Sequence, residues 1–198
     1  AFQEKVLKKR LAYSTVSQVS YILFGLSTMH PLGVTGALLH VVFHSVAKNL
    51  LFMGAGSIIH QTGKTNVTGL RGIGRRMPVT LGCFTFAALS LVGIPPFAGF
   101  FSKWYLANGS LSSGLTGFCW IGPAILLLSA LLTAGYLFPI SVEGFLPGNE
   151  YDKKEMKTCE AGLSMTIPMV ILALLALGLG IFSSSLIEFL YALAESIV

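Results

Sequence analysis

Apolar residues fall in long blocks separated by short polar segments, and each block is long enough to cross a bilayer at about 20 residues per helix. The pattern predicts helices over residues 11–29, 34–59, 77–108, 121–145 and 161–191. Between the first two, His30, Pro31, Leu32 and Gly33 read as a turn. The first helix is polar in its first half, with Ser14, Thr15, Ser17, Gln18 and Ser20. Such a segment inserts poorly in the leading position, and the chain opens on Ala1 rather than Met. A piece of a longer protein, or a chain that enters an existing helix bundle, is therefore expected. The last block is long enough to tilt or to run beyond the lipid, and Pro168 is predicted to kink it.

The third block needs separate treatment. A straight helix over its 32 residues would reach about 48 Å, against a hydrocarbon core of about 30 Å. Gly93, Ile94, Pro95 and Pro96 interrupt it, because consecutive prolines remove donors and clash with the preceding turn. Two spans or one broken span would both fit.

Charge separates these possibilities. Of the 13 Lys and Arg, four precede the first helix (Lys5, Lys8, Lys9, Arg10), four lie between the second and third (Lys64, Arg71, Arg75, Arg76), and three lie between the fourth and fifth (Lys153, Lys154, Lys157). The connections near His30 and over 109–117 carry none. A single broken third crossing puts every basic loop on the cytoplasmic side, as the positive-inside rule requires. The expected architecture is an all-α integral membrane protein, one domain over 1–198, with five transmembrane helices and the third discontinuous. Its N-terminus is expected inside and its C-terminus outside.

Composition agrees with that picture. Apolar residues make up 54% of the 198 and charged ones 11%, where a soluble domain carries about 25% charged; mean hydropathy is +0.76. The net charge of +5 sits in short segments flanking apolar blocks, which argues for lipid and against nucleic acid. Cys83, Cys119 and Cys159 are isolated, so neither a disulfide framework nor a zinc site is indicated. No nucleotide-binding loop, cluster-ligating cysteine set or nucleophile constellation appears. No catalytic residue, metal or cofactor bound by this chain is therefore expected.

Two basic residues remain unexplained by topology, Lys48 and Lys103. His40, His44 and Lys48 recur every four residues and so share one face of the second helix, drifting about 40° per step. Ser45 and Asn49 lie toward the same polar side. A mid-span lysine faces the bundle interior or water and marks an ion pathway by default; pairing with an unseen carboxylate is the structural alternative. For the histidines, interhelical hydrogen bonds compete with a role in ion passage. A metal at a histidine pair would want a third ligand, and none stands out. Lys103 follows the Pro95–Pro96 break by about two turns, close to Gly99. Irregular backbone at membrane depth belongs in protein or beside a water-filled cavity, and transport proteins place ion sites there. Snorkelling from near a helix end is the alternative. On the first helix, Ser14, Ser17, Gln18 and Tyr21 share a face that would glue helices or line a water path.

Taken in order, these residues resemble the antiporter-like subunits shared by NADH–quinone oxidoreductase, membrane-bound hydrogenases and multi-subunit sodium/proton antiporters. The resemblance runs through Leu-Ala-Tyr-Ser-Thr-Val-Ser-Gln at 11–18 and Ala37-Leu-Leu-His-Val-Val-Phe-His-Ser-Val-Ala-Lys48-Asn-Leu-Leu-Phe-Met-Gly-Ala-Gly-Ser57. Gly69-Leu-Arg-Gly, Arg76-Met-Pro and Gly93-Ile-Pro-Pro-Phe-Ala-Gly-Phe-Phe-Ser-Lys-Trp104 continue it. It persists more weakly over 160–180.

The resemblance implies the C-terminal five helices of a fourteen-helix antiporter-like bundle. It implies a proton path through Lys48, His44, His40 and Lys103, with redox or ion coupling elsewhere in a larger complex. The implied partners are other membrane subunits, the missing N-terminal half of the fold, the bilayer, and protons with sodium as the alternative ion. The implied location is a bacterial or archaeal plasma membrane or an energy-transducing organelle membrane. The family's first-half glutamate–lysine pair lies upstream of anything present here, and its long lateral helix is missing. Phe-Ser-Lys-Trp-Tyr-Leu at 101–106 and Leu-Phe-Pro-Ile at 137–140 lean toward antiporter or hydrogenase relatives. Secondary sodium/proton antiport and a non-conducting scaffold are the competing functions.

Overall fold

The computed structural model describes residues 1–114, 119–148 and 158–198, which form helices and no strand. The basic residues Lys153, Lys154 and Lys157, and positions 115–117 of an uncharged connection, lie outside the described residues. In chain order the helices are α1 (Leu7–Ser27), α2 (Pro31–Thr62), α3 (Ile73–Arg76), α4 (Pro78–Val92), α5 (Ala98–Ser112), α6 (Ile121–Phe145), α7 (Leu163–Ile181) and α8 (Ser183–Glu195), with one 3₁₀ turn at Val67–Leu70. Among the described residues, α2, α6 and α7 are long and apolar enough to cross a membrane.

Local chemistry explains where the helices depart from the hydropathy blocks. α1 starts at Leu7 rather than at 11, because the Glu4 carboxylate accepts the Val6 N–H at 2.9 Å and Arg10 N–H bonds the Val6 carbonyl. α2 starts at Pro31, inside the stretch expected to be a turn. Proline suits the first helical position, where its missing donor would be unused anyway. His30 caps that end, its Nδ1 accepting the Leu32 N–H at 3.2 Å. α5 continues past 108 to Ser112, with Gly109 packed so closely that a Cβ would lie 2.3 Å from Gly33 Cα.

The stretch 77–108 consists of α4 and α5 joined through residues 93–97. Gly93 closes α4 at φ +89°, a conformation that favours glycine. The expected kink at Pro168 is not where the last segment breaks. Pro168 lies in the second turn of α7, where the carbonyl it leaves unbonded belongs to Ser164 at the exposed helix start. The chain breaks at Phe182, ahead of Ser183, Ser184 and Ser185, whose hydroxyls compete for backbone partners.

α2 runs through the middle and packs on α1, α4, α5, α7 and α8. The largest core cluster joins Leu7 and Leu11 of α1 to Leu50, Leu51 and Ile58 of α2, Leu81 and Phe84 of α4, and Leu137 and Ile140 of α6. Leu127, Leu128, Leu131 and Leu132 of α6, and Ile171 and Leu174 of α7, point outward. Apolar side chains on both faces are what a helix needs between protein and lipid.

The segments flanking the basic stretches meet at one end of the molecule. Leu7 N–H bonds the Thr65 carbonyl and Val67 N–H the Lys5 carbonyl. Cys159 N–H bonds the Arg76 carbonyl, and Glu160 accepts from Val79 N–H and from the backbone and hydroxyl of Thr80.

Candidate functional site

The i, i+4 spacing of His40, His44 and Lys48 carries them along one side of α2. His40 and Lys48 are buried, at 2% and 6% exposure, and His44 is half-buried. The two imidazoles stack with centroids 5.9 Å apart. Ser45 and Asn49 are exposed and join neither, because one residue in a helix is a turn of about 100° away from the polar face.

α1 supplies the facing wall. Ser14, Gln18 and Tyr21 are buried against α2, while Ser17 is half-buried at the edge. Lys48 Nζ donates to the Leu11 carbonyl at 2.9 Å and to the Ser14 hydroxyl. Deeper along the pair, His40 Nε2 is 3.1 Å from Gln18 Oε1 and Nδ1 is 3.0 Å from Ser102 Oγ. With the Gln18 carbonyl oxygen facing the ring, Nε2 carries the hydrogen and Nδ1 accepts from Ser102. Ser102 Oγ also lies 3.1 Å from the Gly99 carbonyl. If His40 gains a proton at Nδ1, Ser102 can turn its own hydrogen to that carbonyl and accept instead. The pair can therefore hold a proton without orphaning a hydrogen-bonding group.

Lys103 sits at the α4–α5 break. Its Nζ donates to the Leu91 carbonyl at 2.8 Å and the Val92 carbonyl at 2.7 Å. In an unbroken helix those carbonyls would accept from residues 95 and 96, and both are prolines without an N–H. Its N–H groups replace the two missing donors, at the end of α4 where the helix dipole favours a cation. Gly99 permits this geometry, since a Cβ there would lie 1.8 Å from the Ser90 carbonyl. Gly180 of α7 backs the break, with only 2.3 Å between a Cβ there and the Pro96 carbonyl.

A narrow void lined by His40, His44, Ser90, Leu91 and Gly99 joins the histidines to the break. Lys103 Nζ lies 5.4 Å from the centre of the Tyr21 ring, which meets His40 edge-on at 5.3 Å. Lys103 also borders an apolar cleft of about 300 Å³ formed with Gly93, Phe100, Trp104 and Leu126. Among the described residues, neither lysine meets a carboxylate. The ion pair present, Arg71–Glu143 at 3.1 Å, is at the surface. No group of three His, Cys, Asp or Glu side chains assembles among the described residues.

Ser102 was not singled out from sequence, although it adjoins Lys103. Thr133 and Tyr136 were also missed. Both are buried on α6, and with Ser129 they follow i, i+4, i+7 on an otherwise apolar helix, the same spacing signal that exposed the polar face of α1.

The described helices thus place two lysines and two histidines along one interior line of a membrane-type helical bundle, with no carboxylate beside them among the described residues. The chain belongs to the family described as NADH:quinone oxidoreductase/Mrp antiporter, TM, which matches residues 1–133. It is 39% identical over 198 residues to NADH-quinone oxidoreductase subunit N of Desulforudis audaxviator, covering 95% of this chain and 39% of that protein. It is 36% identical over 196 residues to F(420)H(2) dehydrogenase subunit L of Methanosarcina mazei, covering 93% and 28%. The chain thus spans less than half the length of these relatives. A similar fold occurs in the Mrp complex from Dietzia sp. DQ12-45-1b, with TM-score 0.85 and 24% identity over 98% of this chain and 43% of that one.

Proposed function

We propose that this chain is the C-terminal part of a proton-translocating membrane subunit, acting within a redox-driven complex of the NADH–quinone oxidoreductase type. The observation that carries the reading is the interior series Lys48, His44, His40, Ser102 and Lys103, in which the two imidazoles stack, His40 meets Ser102, and no carboxylate joins them among the described residues. A proton arriving at Lys48 would pass the stacked imidazoles, cross at Ser102 and reach Lys103 at the break. The redox chemistry belongs to other subunits, and this chain binds no cofactor of its own. Similarity to NADH-quinone oxidoreductase subunit N supports the type of complex.

In this reading the chain is one membrane domain that crosses five times: α1, α2, α4 with α5 as one interrupted crossing, α6, and α7 with α8. The N-terminus lies on the cytoplasmic side and the C-terminus outside. The meeting of residues 5–7, 65–67, 76–80 and 159–160 at one end supports that parity, as does the clustering of basic residues in those segments. The other half of the family's fold, and further membrane subunits, would complete the path.

The test is proton translocation by the intact complex carrying Lys48→Ala or Lys103→Ala, with assembly checked in parallel. Each is expected to lower translocation at least about tenfold, equivalent to about 1.4 kcal/mol on the barrier. Normal translocation by both variants overturns the proposal. Sodium-dependent proton flux in vesicles without a redox substrate would move the assignment to sodium/proton antiport.

A further inference from the structure

The interior line through α2 leaves a second set of buried polar groups unused. On α1 and α6, the Ser14, Thr133, Tyr21 and Tyr136 side chains are each at least 95% buried. The Tyr136 hydroxyl faces Ser14 and Thr133, and the Tyr21 hydroxyl faces Thr133 and Ser129. Among the described residues, neither tyrosine oxygen has a protein partner at hydrogen-bond geometry, and the Gln18 amide nitrogen has none either. Buried hydroxyls in native proteins are bonded to protein or to ordered water. Two tyrosines, a threonine and a serine supply the several polar partners that a buried water requires.

The ends of this cluster matter more than its middle. Ser14 accepts from Lys48. At the other end, the Tyr21 ring lies against both His40 and Lys103. The cluster therefore runs from the Lys48 station to a tyrosine ring that borders His40 and Lys103, between α1 and α6.

We infer that Ser14, Tyr136, Thr133 and Tyr21 form a water-bridged hydroxyl branch of the proton path along α6, parallel to the His44–His40 branch. It rests on the proton-translocation reading above. Each hydroxyl or water accepts one proton and passes one on. Lys48 is left as the neutral amine, Lys103 becomes the ammonium, and no group between them changes its net protonation. Thr133 can contribute because its hydroxyl, bonded to the Ser129 carbonyl at 2.8 Å, keeps its lone pairs for the tyrosines. The two branches make Lys48→Lys103 transfer tolerant of a cut in either one.

The experiment compares proton translocation by the intact complex carrying Tyr136→Phe, His44→Leu and the pair together, with Lys48→Ala as reference. His44→Leu is chosen because the Nε2 of His44 holds no bond that its loss would orphan. Each single variant should lose about twofold, and the double should fall far below the product of the singles, to the Lys48→Ala level. In the His44→Leu background, Thr133→Ser should match Thr133, while the isosteric Thr133→Val should reproduce the double. A double variant no worse than His44→Leu alone, or equal losses for Thr133→Ser and Thr133→Val, overturns the branch and leaves the parent reading standing. Normal flux in both Lys48→Ala and Lys103→Ala overturns the parent reading itself.

Discussion

Lys48 and Lys103 look equivalent as lysines bonded inside the bundle with no carboxylate among the described residues, yet the fold holds them in different ways. Lys48 lies in the middle of an uninterrupted helix and reaches across to α1. Its acceptors are the Ser14 hydroxyl and the Leu11 carbonyl, and Leu11 sits in a helix that already supplies a partner four residues on. Remove the Lys48 ammonium and the helices keep their bonds. Lys103 bonds carbonyls that have lost their helical donors to Pro95 and Pro96. Remove it and two backbone groups are orphaned. Lys48 is a guest in a complete scaffold, whereas Lys103 completes its own. A proton-transfer defect is therefore a purer report at Lys48 than at Lys103.

The largest test of that contrast is Gly99→Ala. A methyl 1.8 Å from the Ser90 carbonyl meets backbone that cannot rotate away, so α4 and α5 must separate and Lys103 must leave its carbonyls. The expected loss is about 3 kcal/mol in unfolding from detergent micelles, with the Lys48 station intact. Wild-type stability in this variant would mean that the break is not closely packed.

Lys103→Met against Lys48→Met comes next. Each unsatisfied buried carbonyl costs about 1–3 kcal/mol, so Lys103→Met is expected to be about 2 kcal/mol less stable than Lys48→Met in the same assay. Replacing a buried charge by an apolar group of similar shape is often neutral or favourable, which is the expectation for Lys48. Equal stabilities would erase the distinction between guest and completing residue.

The smallest effect concerns the start of α1, which carries the Lys48 acceptors. Glu4 is held below the usual carboxylate range, first by the Val6 N–H it accepts. A carboxylate with a lowered folded pKa contributes stability that is present above its unfolded value and lost as pH falls through the folded value. Acidification should thus lower amide protection, exchange relative to the intrinsic rate at each pH, over residues 4–11 before it affects α5. Glu4→Gln should abolish that loss of protection, and protection over 4–11 that is flat with pH in the wild type would remove Glu4 from the account.

Some of this was readable without a structure. The spacing of His40, His44 and Lys48 is a local property, because a helix converts a four-residue repeat into one face whatever surrounds it. The break was readable too, since two adjacent prolines remove donors in any context. The charge-free connections and basic segments led only to an expected topology, by counting. Ser45 and Asn49 show where that reasoning overreached: closeness in sequence put them near the polar face, and the helical turn sends them outward.

What pairs with what was decided by tertiary structure. Nothing in the order of residues says that His40 meets Gln18 and Ser102, because those contacts join helices 22 and 62 residues apart in the chain. The Lys103 interaction spans only 11 and 12 residues, but it needs Gly99 against Ser90 to fold α5 back onto α4. Thr133 and Tyr136 carried the right spacing and were overlooked because α6 is otherwise so apolar; their meaning comes from α1 lying opposite. The sequence by itself determined that the chain is helical and apolar and that His40, His44 and Lys48 share one helical face. Only packing determined their partners, because a hydrogen bond depends on ångström distances between helices, and periodicity along one helix contains no information about the next.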